Sequence, residues 1–444
     1  MKQLCTLLLV FLSLVLAGCG GDSEDARTKV RIIHASADAP PVNVKVNSRT
    51  VAEGADYTQA AQISREAVAT VTVDAQLPGG QTATVIGPAS IDLINQERVD
   101  VIAVGKVADD SLTALVLSDA GELSDTSMVR VRVAHLAPDA PAVDVYVTAP
   151  GTALDAAEPL GSFSFKGTLG PVEVVPGDYR IRVTAADSSS VLYDSGTVAL
   201  TAGNDLLIGA IPNTGAGDAP IALALYNEGD SSVIYDTDDG AGLRVVHDSV
   251  DAPAVDVYLN SALAIEDLAF PNVAPGADSY APAPAGSNQV QVTAANTTAD
   301  SAVIDATLTL DNGQPYTVLA VNTLSNIEAL VLEDNNRSIA TEARLRVVHG
   351  STNAGNVDVY LVEQGAGIGN SDPALTDVPF KANSGYLSVA AGDYDIIVAP
   401  AGTGTAAIGP VSVSLAAGGV YTVVARDGNT DTGDTFGVIT LDDF

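Results

Sequence analysis

Cysteine is nearly missing from this chain, and its scarcity removes several chemistries at once. Of 444 residues only Cys5 and Cys19 are cysteines, so past residue 19 no disulfide, thiolate metal site or cysteine nucleophile is available. Tryptophan is absent altogether, which takes away the broadest platform for stacking sugars and leaves 13 tyrosines for that task. Positive charge is scarce as well: 20 Lys and Arg stand against 55 Asp and Glu, for a net charge of −35. Such a field repels phosphate backbones and excludes nucleic acid as a partner. No segment after residue 18 approaches the roughly 20 apolar residues that a membrane-spanning helix needs. A Walker loop, a nucleotide-type glycine fingerprint and an HExxH pair are all lacking, so the sequence implies no cofactor.

What remains reads as a folded β protein. Hydrophobic residues make up 47% and charged residues 17%, a balance that favours a packed core over disorder. Forty glycines and 22 prolines among many Val, Ile and Thr predict short strands joined by tight turns. At the N-terminus, Lys2 precedes an apolar run from Leu7 to Leu16, and Leu16, Ala17 and Gly18 place a small-residue cleavage site directly before Cys19. This segment resembles the signal peptide and lipobox of bacterial lipoproteins. The resemblance implies removal of residues 1–18, lipidation of Cys19 and attachment to the cell envelope by lipid. In a Gram-negative host, Gly20 lacks the aspartate of inner-membrane retention, so the outer membrane is the expected location. Residues 19–29 then form the lipidated cysteine and a polar tether reaching at most roughly 35 Å.

All four histidines sit in one recurring context. The segments are RIIHASADAPPVNVKV from Arg31, RVAHLAPDAPAVDVYV from Arg132, RVVHDSVDAPAVDVYL from Arg244 and RVVHGSTNAGNVDVYL from Arg346. His34, His135, His247 and His349 are 101, 112 and 102 residues apart. That period is too long for a solenoid and predicts whole domains strung like beads. An aromatic follows each histidine by about 20 to 30 residues, as Tyr57, Phe165, Phe270 and Phe380. Near each end comes a hairpin-like pair: VDVIAVG with ALVLSD, DLLIGAI with ALALYN, YTVLAVN with ALVLED, and YTVVARD with GVITLD. About seven short strands per copy predict an all-β chain of four tandem immunoglobulin-like β-sandwich domains, at 30–120, 128–228, 242–334 and 343–444. Each is long enough to bury its own core.

Within the signature, Val245 and His247 fall on one face of a strand while Arg244 and Val246 fall on the other. Asp251, like Asp38 and Asp139, begins a turn, and Pro253 stops the strand. The Arg and the second acidic residue are 12 apart in three copies, as Arg132 with Asp144, Arg244 with Asp256, and Arg346 with Asp358; in a hairpin these would pair. His34, Ser36 and Asp38 could assemble a nucleophilic triad, yet Ala137 replaces the serine in copy two and Asn353 the aspartate in copy four. The recurrent Arg, His and Asp residues therefore read as a structural signature, each histidine ring satisfying a loop carbonyl. With one histidine per copy, metal ligation is not indicated. Calcium remains a possible partner at two acidic stretches, Asp236 to Asp239 and the loop DGNTDTGD from Asp427.

The repeated signature followed by a GDY-containing strand resembles a bacterial family of exported domains, domain of unknown function 4397, over nearly all of residues 27–444. The resemblance is strongest in copies two and three, and weakest in copy four, where DAPA has become NAGN. It implies an envelope-associated β domain and no particular activity. The functional expectation is a non-enzymatic, lipid-anchored stalk or adhesion module that binds an envelope protein or surface polymer. The alternatives are a calcium-dependent binding or structural module, and an envelope hydrolase with its site between domains.

Overall fold

A computed structural model describes residues 28–443 except 66, 67, 95, 122, 124, 429–432 and 434. The signal peptide, Cys19 and the tether through Arg27 lie outside the described residues. The first sandwich contains β1 (Thr28–His34), β2 (Val42–Val46), β3 (Arg49–Ala55), β4 (Ala60–Arg65), β5 (Val68–Leu77), β6 (Gln81–Asp92), β7 (Arg98–Val104) and β8 (Thr113–Asp119). One sheet runs β4-β1-β7-β8 and the other β3-β2-β5-β6. Eight strands are present where about seven were expected. The hairpin pair at the end of each copy is β7 with β8 and its equivalents, antiparallel throughout. Between them, β1 and β7 run parallel, with Arg31 opposite Asp100.

The other three copies repeat this order, beginning at Val129, Ala241 and Ala343, except that the third splits the counterpart of β4 into Val273–Ala274 and Ala281–Ala283. The second adds a ninth strand, Asp230–Ile234, on the edge formed by Ile221–Asn227, so the polar joint after residue 228 is partly sheet. Each sandwich closes over its own core. In the first copy Val30 and Ile32 meet Val42, Val44, Val71 and Val73, and the third copy uses Leu243, Val245, Val255 and Val257 in the same way.

The chain does not hang as separate beads. The central strands are buried on both faces: every residue of Arg98–Val104 and of Ala241–His247 is buried. A strand buried on both faces needs a second layer outside its own sandwich. The neighbouring copy supplies it. Ile33, Ala35, Tyr57, Ile102 and Val104 of the first sandwich pack against Leu136, Leu207, Ile211, Ala224 and Tyr226 of the second. Val246, Leu319, Val321 and Leu332 of the third meet Val348, Val424, Ile439 and Leu441 of the fourth. The fold is thus two face-to-face pairs.

The pairs also touch each other. Ala216 donates its N–H to the Gly313 carbonyl at 2.7 Å, joining the second copy to the third. Gly313 has φ of +76° and lies against the Tyr235 ring, where a Cβ would come within 2.1 Å, so no other residue fits. Between the third and fourth copies, Arg337 reaches back to the first, donating Nη1 to the carbonyls of Ala37 (3.0 Å) and Ala39 (2.7 Å) and pairing with Asp56. Ala340 N–H meets the Asp38 carbonyl at 2.9 Å beside it.

Candidate functional site

The four histidines occupy equivalent places and make equivalent contacts. Nε2 faces a backbone carbonyl six residues ahead in each copy: His34 to Pro40 (3.1 Å), His135 to Pro141 (3.0 Å), His247 to Pro253 (3.0 Å) and His349 to Gly355 (2.7 Å). A carbonyl only accepts, so Nε2 carries the hydrogen. The edge of each ring meets the recurrent aromatic, Tyr57, Phe165, Phe270 or Phe380, at centroid distances of 6.1 to 6.5 Å. Burial lowers the pKa of all four, that of His34 to about 4, so the rings are neutral at pH 7. Each histidine staples the end of its strand to the following turn.

His34, Ser36 and Asp38, which the sequence reads as structural rather than as a nucleophilic triad, each engage a different partner. Ser36 donates to the Gly105 carbonyl at 2.7 Å, and Asp38 accepts the N–H groups of Val107 and Ala108, both at 2.9 Å. Asp251 caps a turn likewise through Leu324 N–H (2.7 Å), while Asp139 is exposed and meets Lys106 of the first copy at 3.0 Å.

The pairing of each Arg with the acidic residue 12 ahead is overturned by topology. The two strands belong to opposite sheets rather than to one hairpin. Asp144 instead accepts Ser162 Oγ and Asp187 N–H; Asp256 accepts Asp267 and Asn296 N–H, both at 2.8 Å; and Asp358 accepts Asp377 (2.9 Å) and Gly402 (2.8 Å). These carboxylates pin turns of the outer sheet.

The arginines point the other way, into the faces between copies. Arg31 donates Nε and Nη2 to the two oxygens of Asp100 at 2.8 and 3.1 Å, and Nη1 to the Tyr226 carbonyl of the second copy at 2.6 Å. Arg132 of the second copy meets Asp119 of the first at 3.1 Å. In the other pair the exchange is reciprocal: Arg346 bonds Asp334 at 2.6 Å, and Arg244 bonds Asp443. Thr317 and Thr422 each donate to one of these carboxylates at 2.5 Å, and the rings of Tyr280 and Tyr386 lie under Arg244 and Arg346. Sequence reasoning missed Asp119, Asp334 and Asp443. Their signal was the acidic residue closing the last strand in LSD, LED and LDD. The second copy has Glu228 there, and it turns outward to Lys29.

In the acidic stretches, Asp236, Asp239 and Asp427 each accept hydrogen bonds. Asp236 accepts the N–H of Asp194 (2.6 Å) and Asp238 (2.7 Å), and Asp239 accepts that of Ala219 (3.1 Å). Asp427 accepts Ser351, Thr352 and Asn353; most of the DGNTDTGD loop lies outside the described residues. Among the described residues, no three His, Cys, Asp or Glu side chains are grouped to hold a metal ion. A cleft of about 980 Å³ lies between the second and third copies, with Asp194, Asp218, Asp236, Asp239 and Asp278 among its lining residues.

A family model described as Domain of unknown function (DUF4397) matches residues 28–146, 241–360 and 368–444. The first two matches each span one sandwich and the opening strands of its partner. No curated protein matches the chain. Among solved structures, the chain is similar to the Bacillus anthracis TIE protein at 11% identity, over 87% of this chain and 67% of that one, with a TM-score of 0.15. It is also similar to a product complex of SpuA, a multi-modular glycogen-degrading pneumococcal virulence factor, at 10% identity over 61% of this chain and 37% of that one, with a TM-score of 0.16.

Proposed function

The chain belongs to the family described as Domain of unknown function (DUF4397), and on that premise we propose that it is a non-enzymatic binding module anchored to the cell envelope by lipid at Cys19. One observation carries the non-enzymatic part. The most recurrent polar side chain of the sequence, the signature histidine, spends its Nε2 hydrogen on a backbone carbonyl in every copy. A general base needs a free nitrogen facing a cleft and a positioned nucleophile. These rings are buried with neither.

The paired packing favours a compact binding block over an extended stalk. Faces between sandwiches are filled by the neighbouring copy, so lengthening the chain by repetition adds bulk rather than reach. Four copies held in fixed relation present several surfaces to one envelope polymer or protein at once, and multivalent contact multiplies weak affinities.

The lipobox supports anchoring, and its test is direct. Wild-type protein should partition into detergent and carry acyl groups by mass spectrometry, and Cys19→Ala should lose both. A wild-type chain without acyl groups refutes the anchor. For binding, the mature chain crosslinked in intact envelopes should recover one reproducible partner or polymer. Turnover of an envelope substrate by the purified chain would replace the binding reading with an enzymatic one, and calorimetry with calcium separates the calcium-dependent alternative.

A further inference from the structure

Asp248 directly follows His247 at the end of the third sandwich's central strand, and its side chain enters the face shared with the fourth. It is 4% exposed, and among the described residues neither carboxyl oxygen has a hydrogen-bond partner. The equivalent position holds Ala35 in the first copy and Leu136 in the second, both within the apolar cluster that joins that pair. In the fourth copy it is Gly350. A Cβ there would stand 1.9 Å from Asp248 Oδ2, so the missing side chain opposite is what makes room for the carboxyl. One pair therefore meets through Ala and Leu, and the other through Asp and Gly.

The charged groups facing Asp248 come from the end of the fourth copy's parallel strand, Val420–Asp427. Asp427 repels a second carboxylate, and its own oxygens already accept Ser351, Thr352 and Asn353. Arg426 attracts one; it donates Nη1 to the Asp427 carbonyl at 2.9 Å, lies over the Phe270 ring at 5.4 Å, and among the described residues its buried Nε has no partner. On its own side, neighbouring His247 turns its ring to the Pro253 carbonyl. Burial, then the Asp427 charge, push the Asp248 carboxyl well above the usual carboxylate range.

We propose that the face between the third and fourth sandwiches is a proton-operated contact, closed while Asp248 is neutral and loosened when it ionises. A neutral carboxyl among Val246, Val348 and Val424 costs little more than an amide. A carboxylate there has lost its water and, among the described residues, has no hydrogen-bond donor, a desolvation cost that rearrangement of the face relieves. The closed pair opens toward alkaline pH, exposing the apolar strands that it covers. The first pair has no such group at this position and stays shut over the same range. The device operates whether or not the chain is lipid-anchored.

Hydrogen exchange on the whole mature chain carrying Cys19→Ala tests this, with rates corrected for intrinsic pH dependence. Peptides from 241–247 and 343–349 report the second pair, and peptides from 28–34 and 129–135 serve as the control within the same molecule. From pH 5 to pH 9 the opening of the second pair should increase at least tenfold relative to the first. Asp248→Ala, which installs the first copy's residue, should hold that ratio constant, and Asp248→Asn provides a near-isosteric neutral form with the same expectation. A wild-type ratio that does not change with pH overturns the proposal. So does a pH-dependent ratio that survives in both variants.

Discussion

Arg346 of the fourth sandwich donates Nη2 to Asp334 Oδ1 of the third at 2.6 Å, with side chains 2% and 0% exposed. Two charges withdrawn this far from water are tolerable only as partners, because each alone would carry a desolvation cost of several kcal/mol. Thr317 and Tyr280 occupy the other oxygen of Asp334, at 2.5 and 2.8 Å. The pair is embedded in the face between two copies, so the stability of that face and the fate of these charges are coupled.

Breaking that pair from one side should be severe. Asp334→Asn is expected to cost roughly 3–5 kcal/mol in a denaturant melt, since Arg346 keeps its charge without its main partner. Asp334→Asn combined with Arg346→Met should cost less than the sum of the single changes, and the double-mutant cycle measures the coupling. Strict additivity would show that the two do not interact.

The folding unit is expected to be the pair rather than the copy. Residues 28–235 should give a folded monomer. Residues 126–235 alone would expose Leu136, Leu207, Ile211, Ala224 and Tyr226 together, a contiguous apolar patch that soluble monomers rarely leave bare. Analytical ultracentrifugation should find that fragment self-associated or aggregated. A stable monomer would show the interface to be dispensable.

Acid should weaken the first sandwich through His34. Its pKa is depressed to about 4 in the fold from 6.5, so the unfolded chain binds the proton first and stability falls as pH drops from about 6.5 toward 4. The full effect is on the order of 3 kcal/mol. His34→Gln should be less stable at pH 7 but lose less on acidification. Parallel pH profiles for the two proteins would assign the effect to other groups. The sign is opposite to that of Asp248, whose raised pKa removes stability as pH rises.

Arg337 ties the joint between the third and fourth copies to the first. Arg337→Ala should cost about 1–3 kcal/mol from the unpaired carbonyls of Ala37 and Ala39 and the loss of Asp56. Small-angle scattering should show a larger radius of gyration while the β content stays constant. An unchanged radius would mean that the two pairs are held together elsewhere.

Composition, repetition and alternation in the chain determined the all-β class, the four copies, the terminal hairpins and the association of each histidine with a loop. These are local or periodic properties, and strand alternation places Val245 and Val246 on opposite faces whatever lies beyond them. Only the tertiary structure decided where each face goes. The Arg132 and Asp144 pairing failed because spacing along a chain does not say whether two strands share a sheet. The second apolar face of each central strand was visible as an unbroken run such as DLLIGAI, but a run does not name what covers it. The burial of Arg244 against Asp443, 199 residues away, and of Asp248 against Gly350 follows from copies docking face to face. Such contacts are set by the summed shape and charge of two surfaces, which no single segment encodes.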